Sequence, residues 1–505
     1  MTPKRGIDSD FLDLPRHALA DAALSAAAAA GASYADLRIQ RLCTEIIQLR
    51  DGELQTAIVS RDLGLAVRVI VNGTWGFASH AELAPSVAAD TARRAVLVAT
   101  TLSALNSERV ELAPEPVYTD VTWVSEYRID PFNLPAAEKI AVLQDYSGRL
   151  LSAAGVDHAT ASLNAVKEQT FYADTFGSSI TQQRVRLHPS LEAVAVDAAA
   201  GTFDSMRTLA PPMARGWELV AGDDIWNWAD ELAQLPLLLA EKTKAPSVTA
   251  GRTDLVIDPT NLWLTIHESI GHATEYDRAI GYEAAYAGTS FATPDKLGTM
   301  RYGAPAMNVT ADRTVQFGLA SIGYDDEGVA AQSWDLVRDG MFVGYQLDRV
   351  FAVRLGQPRS NGCSYSDSAH HVPIQRMANV SLQPGPADFS TADLISRVEN
   401  GIYVVGDKSW SIDMQRYNFQ FTGQRFFRIR DGHLDGQLRD VAYQATTTDF
   451  WNSLEVVGGP STWRLGGALN CGKAQPGQLA PVSHGCPSAL FRCVNVLNTR
   501  TEGGR

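Results

Sequence analysis

Cysteine is scarce in this 505-residue chain: five residues, scattered. So thin and odd a set in a long chain excludes a disulfide framework and fits a reducing, cytoplasmic setting. No run of 18 or more apolar residues occurs, so no transmembrane helix is expected. Behind Lys4 and Arg5 no apolar stretch follows, which argues against a secretory signal. The Ala-rich run from Ala18 to Ala30 carries Asp21 and Ser25 and reads as a helix. Positive charge is also short: 43 Lys and Arg against 57 Asp and Glu leave a formal net charge of −14. Such a surface repels phosphate backbones and anionic lipid, so neither nucleic acid nor a membrane is an expected partner. Fixed-period repeats and low-complexity linkers are missing too, which excludes a solenoid.

What is present is ordinary globular composition, 45% hydrophobic and 20% charged, with length for two large domains or three smaller ones. A helix is expected over 15–32, with Pro15 near its start and Gly31 at its end. From Tyr34 to Gly76 the period changes to alternation. Asp51-Gly52 and Asn72-Gly73 are hairpin signals, so this stretch predicts an antiparallel meander. Helices follow at about 86–104, 135–154 and 223–242, the last with Asp223 or Asp224 as its cap. Strand-like runs lie between them, with a turn at Asp174-Thr175-Phe176-Gly177. After Pro246 a strand runs to Asp258-Pro259, and one helix spans about Asn261 to Arg278. Beyond it short apolar runs alternate with Gly, Pro, Asn and Asp, as in a β-barrel or sandwich. The predicted class is α+β: an N-terminal α/β domain over 1–240, and a C-terminal β-rich, barrel-like domain over 241–505 carrying one metal-binding helix.

That helix contains His267-Glu268-Ser269-Ile270-Gly271-His272. Zinc hydrolases often carry H-E-x-x-H, whose histidines lie four apart on one helical face. Here they are five apart. At about 100° per residue, four steps leave two imidazoles about 40° apart and five leave them about 140° apart. A regular α-helix therefore cannot aim both at one metal. A π-bulge inserts one residue and restores a common face. Gly271 lowers the cost of such a distortion, so the spacing predicts a bulged or terminating helix there.

A catalytic zinc takes a third protein ligand and keeps one open position. Cys471, in the Gly-flanked Asn470-Cys471-Gly472-Lys473, is one candidate. Cys486, in His484-Gly485-Cys486-Pro487, is another, and His370-His371 a third. Spacing does not choose among them. Cys43, Cys363 and Cys493 look less special, and apolar neighbours make Cys43 and Cys493 read as buried inert thiols. Tyr324, Asp326, Glu327, His370, His371 and Arg376 read as solvated loop residues or satisfied structural contacts. The Asp325-Asp326-Glu327 triplet lacks calcium-loop spacing and reads as a solvated turn. Trp226 and Trp228 read as core.

The His267–His272 motif resembles the H-E-x-x-x-H motif of the TldD branch of the TldD/PmbA family. So do Tyr34-Ala35-Asp36-Leu37-Arg38, the run Gly64 to Ala78, Gly323 to Gly328, Pro373 to Asn379 and Asn470-Cys471-Gly472-Lys473. The resemblance covers nearly the whole chain. It implies a zinc-dependent peptidase in which His267, His272 and Cys471 hold Zn2+ and Glu268 is the catalytic base. No other cofactor is implied. It also implies a heterodimer with a TldE (PmbA)-like subunit that lacks the motif, unfolded or extended peptides as substrates, and an α/β domain followed by a barrel-like one. Cys486 departs from the family pattern. The competing expectation is a non-hydrolytic regulatory protein acting on gyrase or a toxin–antitoxin pair.

Overall fold

The computed structural model describes residues 6–198 and 201–502. Its first part is a seven-stranded sheet of β1 (Tyr34–Arg50), β2 (Glu53–Val71), β3 (Thr74–His80), β4 (Val121–Val124), β5 (His158–Asp174), β6 (Ser179–Asp197) and β7 (Thr202–Arg207). The spatial order is β3-β2-β1-β5-β6-β4, with β7 also on β6. The expected meander is there. Asp51-Gly52 and Asn72-Gly73 both take positive φ (52°/78° and 52°/70°), the backbone of a tight hairpin that matches strand twist.

Helices cover one face of the sheet in two groups. α1 (Ser9–Leu12), α2 (Arg16–Ala29) and α3 (Pro85–Ser103) bury Phe11, Leu19, Ala23, Ala92 and Ala95 against Leu37, Ile39, Leu65 and Val67. α4 (Ala136–Leu151) and α5 (Trp228–Lys244) bury Leu143, Leu150, Leu235 and Leu239 against Leu163, Leu187 and Leu191. The α5 cap differs from expectation. Asn227 caps it by accepting the Asp230 amide, while Asp223 reaches only the Ala229 amide. The helix starts late because Trp228 is wholly buried and its indole N–H is committed to the Leu219 carbonyl at 2.9 Å.

Alternation along β1 and β2 sends Asp36, Arg38, Gln40 and Arg68 to the other face, which is buried as well. It meets the segment read above as a solvated turn. That reading is wrong: Asp325, Asp326 and Glu327 are all buried. Arg38 pairs with Asp326 at 2.9 Å and Arg68 with Glu327 at 3.1 Å. The neutralising charges lie 288 and 259 residues away in sequence, out of reach of a local reading.

The second part contains a closed five-strand barrel. Its strands run in the order Asn400–Ile412, β8 (Gly251–Ile257), Ala489–Asn498, Val441–Thr446 and Asn418–Arg430, and the last pairs back onto the first. Closure pairs each of these five strands on both sides, and His433–Leu438 and Leu454–Val457 add to the same sheet outside the closed circuit. α6 (Pro259–Ile266) leaves β8 through Asp258, whose side chain accepts the Thr260 amide at 3.0 Å, with Pro259 as the first helical residue. Asp-Pro is a strong start signal. α6 is buried on nearly all sides, so its apolar residues join the main core with Leu255, Val404, Tyr443 and Phe491. Between 280 and 378 strands are fewer than expected, and most of the chain is irregular. A separate hairpin, Arg464–Lys473 with Gln478–Cys486, lies beside α6. Among the described residues, no helix is long and apolar enough to cross a membrane.

Candidate metal centre

After Ile266 the α-helix becomes a π-helical turn over His267–Gly271, then a 3-10 turn over His272–Thr274, and the chain breaks at Glu275. The extra residue does what the spacing demands. The His267 and His272 rings lie 4.6 Å apart at 70°. A widened turn disturbs the helical hydrogen-bond ladder, and distant side chains satisfy it. The Tyr302 hydroxyl donates to the Ser269 carbonyl (2.5 Å), the Gln346 amide to the Gly271 carbonyl (2.8 Å), and Trp451 Nε1 to Ser269 Oγ (3.0 Å). Gly271 has ordinary helical angles, φ −53° and ψ −61°. Its role is close approach: a Cβ there would lie 2.5 Å from Met377 Sδ.

Cys471 comes to the same place on the hairpin strand Arg464–Lys473, with Sγ 3.5 Å from His272 Nε2. Among the described residues, His267, His272 and Cys471 are the one group of three His, Cys, Asp or Glu whose ligand atoms all lie within 4.8 Å of one another. Cys486 is elsewhere: its thiol points to the Pro259 carbonyl, and burial holds its pKa well above the ordinary value. His370 and His371 hydrogen-bond to Ser79 and Asp367. Cys43 and Cys363 are buried, but Cys493 is exposed, against expectation; φ there is +56°, so the strand bends and turns the thiol outward.

The hydrogen-bond network orients both imidazoles. His484 Nδ1 lies 2.9 Å from the Val380 carbonyl, so it carries the proton and Nε2 accepts. His267 Nδ1–H therefore donates to His484 Nε2 at 2.7 Å, leaving His267 Nε2 with a free lone pair. His272 Nδ1–H donates to Glu275 at 2.8 Å, and its Nε2 faces Cys471. Glu275 is held by Arg278 (3.3 Å) and Lys473 (3.2 Å), all fully buried. Burial works against its charge, but Lys473, His272 and Arg278 outweigh it and hold its pKa well below the ordinary range. Burial pushes the Cys471 thiol up, yet His272 and Arg376 bring it below its usual value. Arg376 also donates to the Cys471 carbonyl at 2.5 Å, fixing the strand. Two imidazoles with their Nδ1 atoms held by fixed partners and one acidified thiol are the donor chemistry a divalent soft-to-borderline metal takes.

Two models of the PmbA/TldA metallopeptidase match: its C-terminal domain over residues 250–498 and its domain 1 over residues 35–99. A Methanothermobacter thermautotrophicus protein named as a metalloprotease is 31% identical over 467 residues, covering 92% of this chain and 96% of that one. The chain belongs to the PmbA/TldD metallopeptidase family. A Saccharolobus solfataricus relative, named as a zinc metalloprotease TldD homolog, is 24% identical over 85% of this chain and 89% of its own. The solved structure of TldE from Thermococcus kodakarensis shares the fold, with TM-score 0.70 and 16% identity over 95% of this chain and 99% of that one.

In this family member, Glu268 sits directly beside the donor cluster and pairs with Arg416 at 2.7 Å. Burial alone would raise its pKa, but His272, His267 and Arg416 lower it. Both residues line a cavity of about 550 Å3 with His267, His272 and Cys471. The strand segment Gly466–Gly472 forms one wall, and β6 and β7 contribute His188 and Arg207. Burial and Arg207 lower the His188 pKa to about 4, so it faces the cavity neutral. His484, Glu275 and Arg416 carried no assignable signal in the sequence. His484 stands two residues before Cys486 but points to the cluster while Cys486 does not, and Arg416 is marked only by its backbone, φ +62° at a non-glycine.

Proposed function

We propose that this chain is a zinc-dependent peptidase that hydrolyses extended, unfolded peptides, with Zn2+ held by His267, His272 and Cys471. The observation that carries this reading is the convergence of two oriented Nε2 atoms and one Sγ beside a carboxylate in a cavity. When bound, zinc supplies a Lewis acid that polarises a peptide carbonyl and acidifies water. Glu268 accepts the proton of the attacking water and passes it to the leaving amine. Its lowered pKa keeps it ionised and ready to accept at neutral pH. Arg416 donates to one oxygen of that carboxylate and holds it in place, and Trp410 hydrogen-bonds it as well. Buried Trp263 and half-exposed Trp410 narrow the cavity around the reacting carbonyl.

An unpaired strand edge supports the substrate class. Arg464–Lys473 pairs with Gln478–Cys486 on one side and, among the described residues, with no strand on the other. A peptide adding to that edge through main-chain hydrogen bonds would pass the cluster as an extended strand. Such recognition reads an unfolded backbone and rejects a folded one. The fold shared with TldE supports a heterodimer with a TldE-like subunit of the same architecture. We take 1–240 and 241–505 as the two domains and the cytoplasm as the place of action, which suits five free cysteines.

The test is metal analysis with peptide cleavage, with and without a co-expressed motif-lacking subunit. One zinc per chain is expected, with cleavage of an unstructured peptide and sparing of its folded parent. Glu268→Gln should retain zinc and lose about 10²–10⁴-fold in rate. Equal cleavage of folded and unfolded forms removes the substrate reading. Full biological effect from the Gln variant replaces hydrolysis by binding.

A further inference from the structure

A second cavity, of about 730 Å3, opens on another face between the N-terminal sheet and the C-terminal part. Its mouth gathers exposed apolar side chains: Val98, Leu102 and Leu105 at the end of α3, with Val372 and Tyr282, whose ring packs on Phe351, opposite. Its floor is acidic and buried. Asp277, Glu327 and Asp348 line it and are each more than nine-tenths buried.

The cations around this floor are committed. Arg68 pairs with Asp36 and Glu327, and Arg354 with Glu108 at the rim. Lys473 is shared between Glu275 and Asp277. Asp348 is left over. One of its oxygens caps the helix Arg349–Arg354 by accepting the Phe351 amide at 2.8 Å; the other accepts no hydrogen bond among the described residues. Burial, and then the carboxylates of Glu327, Asp277 and Asp325, pushes its pKa well above the ordinary value, so a cation placed at the free oxygen is what would hold it ionised. Asp277 likewise spends one oxygen on Lys473 and the Arg278 amide, and its other accepts no hydrogen bond among the described residues. Buried carboxylates are normally paired. An apolar cleft with a few convergent polar groups is the usual form of a small-molecule site.

We propose that this cavity binds an organic ammonium carrying an apolar body, with Asp348 as the counter-ion and the α3 side chains enclosing the apolar part. A metal ion is disfavoured by geometry. The carboxylate oxygens here do not converge, since among the described residues only the His267, His272 and Cys471 cluster brings three ligand atoms within 4.8 Å of one another. The ammonium can belong to a free amine or to the amino terminus of a peptide beginning with an apolar residue.

Isothermal titration calorimetry on the full-length protein decides it, with 2-phenylethylamine for the first source and the dipeptide amide Phe-Gly-NH2 for the second, each also in its N-acetylated, neutral form. Saturable binding at one site per chain is expected for one or both ammonium forms, and none for the acetylated forms. The tighter ammonium identifies the source. Asp348→Asn keeps a capping side chain and cannot ionise beside the ammonium, so affinity should fall at least tenfold. Leu102→Trp fills the mouth from an exposed helix position and should weaken binding similarly, independently of any effect on the floor. Binding that survives both substitutions lies elsewhere, the metal cluster included, and overturns the assignment. So does equal binding of the acetylated forms, or no saturable binding at millimolar concentration.

Discussion

Replacing His484 by Ala removes a residue outside the His267, His272 and Cys471 donor set. It should nevertheless weaken zinc binding. His484 is completely buried, takes its tautomer from the Val380 carbonyl, and accepts the His267 Nδ1–H at 2.7 Å. Without it the His267 N–H is buried with no acceptor, at a cost of about 1–3 kcal/mol. The ring is then free to rotate or to move its proton to the nitrogen that faces the cluster. Loss of such an orienting partner typically costs about 10–100-fold in metal affinity, or about 1.4–2.7 kcal/mol. Zinc affinity is read by competition with a chromophoric chelator, and stability by urea unfolding with and without metal. Because only the folded chain offers the assembled site, the loaded variant should lose more stability than the metal-free one. His484→Gln, which offers an acceptor oxygen in nearly the same volume, should recover part of the affinity. If His484→Ala binds zinc within twofold of the parent chain while stability falls equally with and without metal, His484 is only packing and the orienting argument fails.

Gly271→Ala should destabilise the protein by about 1–3 kcal/mol, the usual cost of overpacking, because the new methyl meets Met377 Sδ. Combining it with Met377→Ala should relieve the clash, so the double-mutant cycle shows coupling instead of additivity. Arg416→Ala should lower turnover more than it raises KM, since Arg416 places Glu268 without belonging to the donor set; Arg416→Lys should restore part of the rate. Asp325, buried beside Glu327, has its pKa raised to about 7 from 3.8. Folding therefore favours its protonated form. The stability it contributes is fully present below pH 3.8 and is lost as pH rises through about 7. Unfolding free energies from pH 5 to 7 should fall less steeply in Asp325→Asn, by at most about 1.4 kcal/mol per pH unit. Equal slopes would show that Asp325 is ionised throughout.

Local chemistry is enough for much of this molecule. Hairpin dipeptides force the meander, since Asn72-Gly73 and Asp51-Gly52 supply adjacent positive-φ positions. Five-residue spacing predicts a departure from the α-helix at His267–Gly271, because in a regular helix the two imidazoles would lie about 140° apart and share no face. Each of these follows from geometry over a few bonds. The rest is set by neighbours far along the chain. Cys471 and Cys486 have similar Gly-flanked settings, and only the pairing of the hairpin Arg464–Cys486 beside α6 turns one thiol to the cluster and the other to Pro259. Gly271 looks like a flexible joint in sequence, but Met377, more than 100 residues later, makes it a steric necessity. Asp325-Asp326-Glu327 reads as a wet turn until Arg38 and Arg68 arrive from the sheet. Burial, charge neutralisation and metal-ligand orientation depend on which surfaces meet in space, and that is decided by the packing of the whole chain.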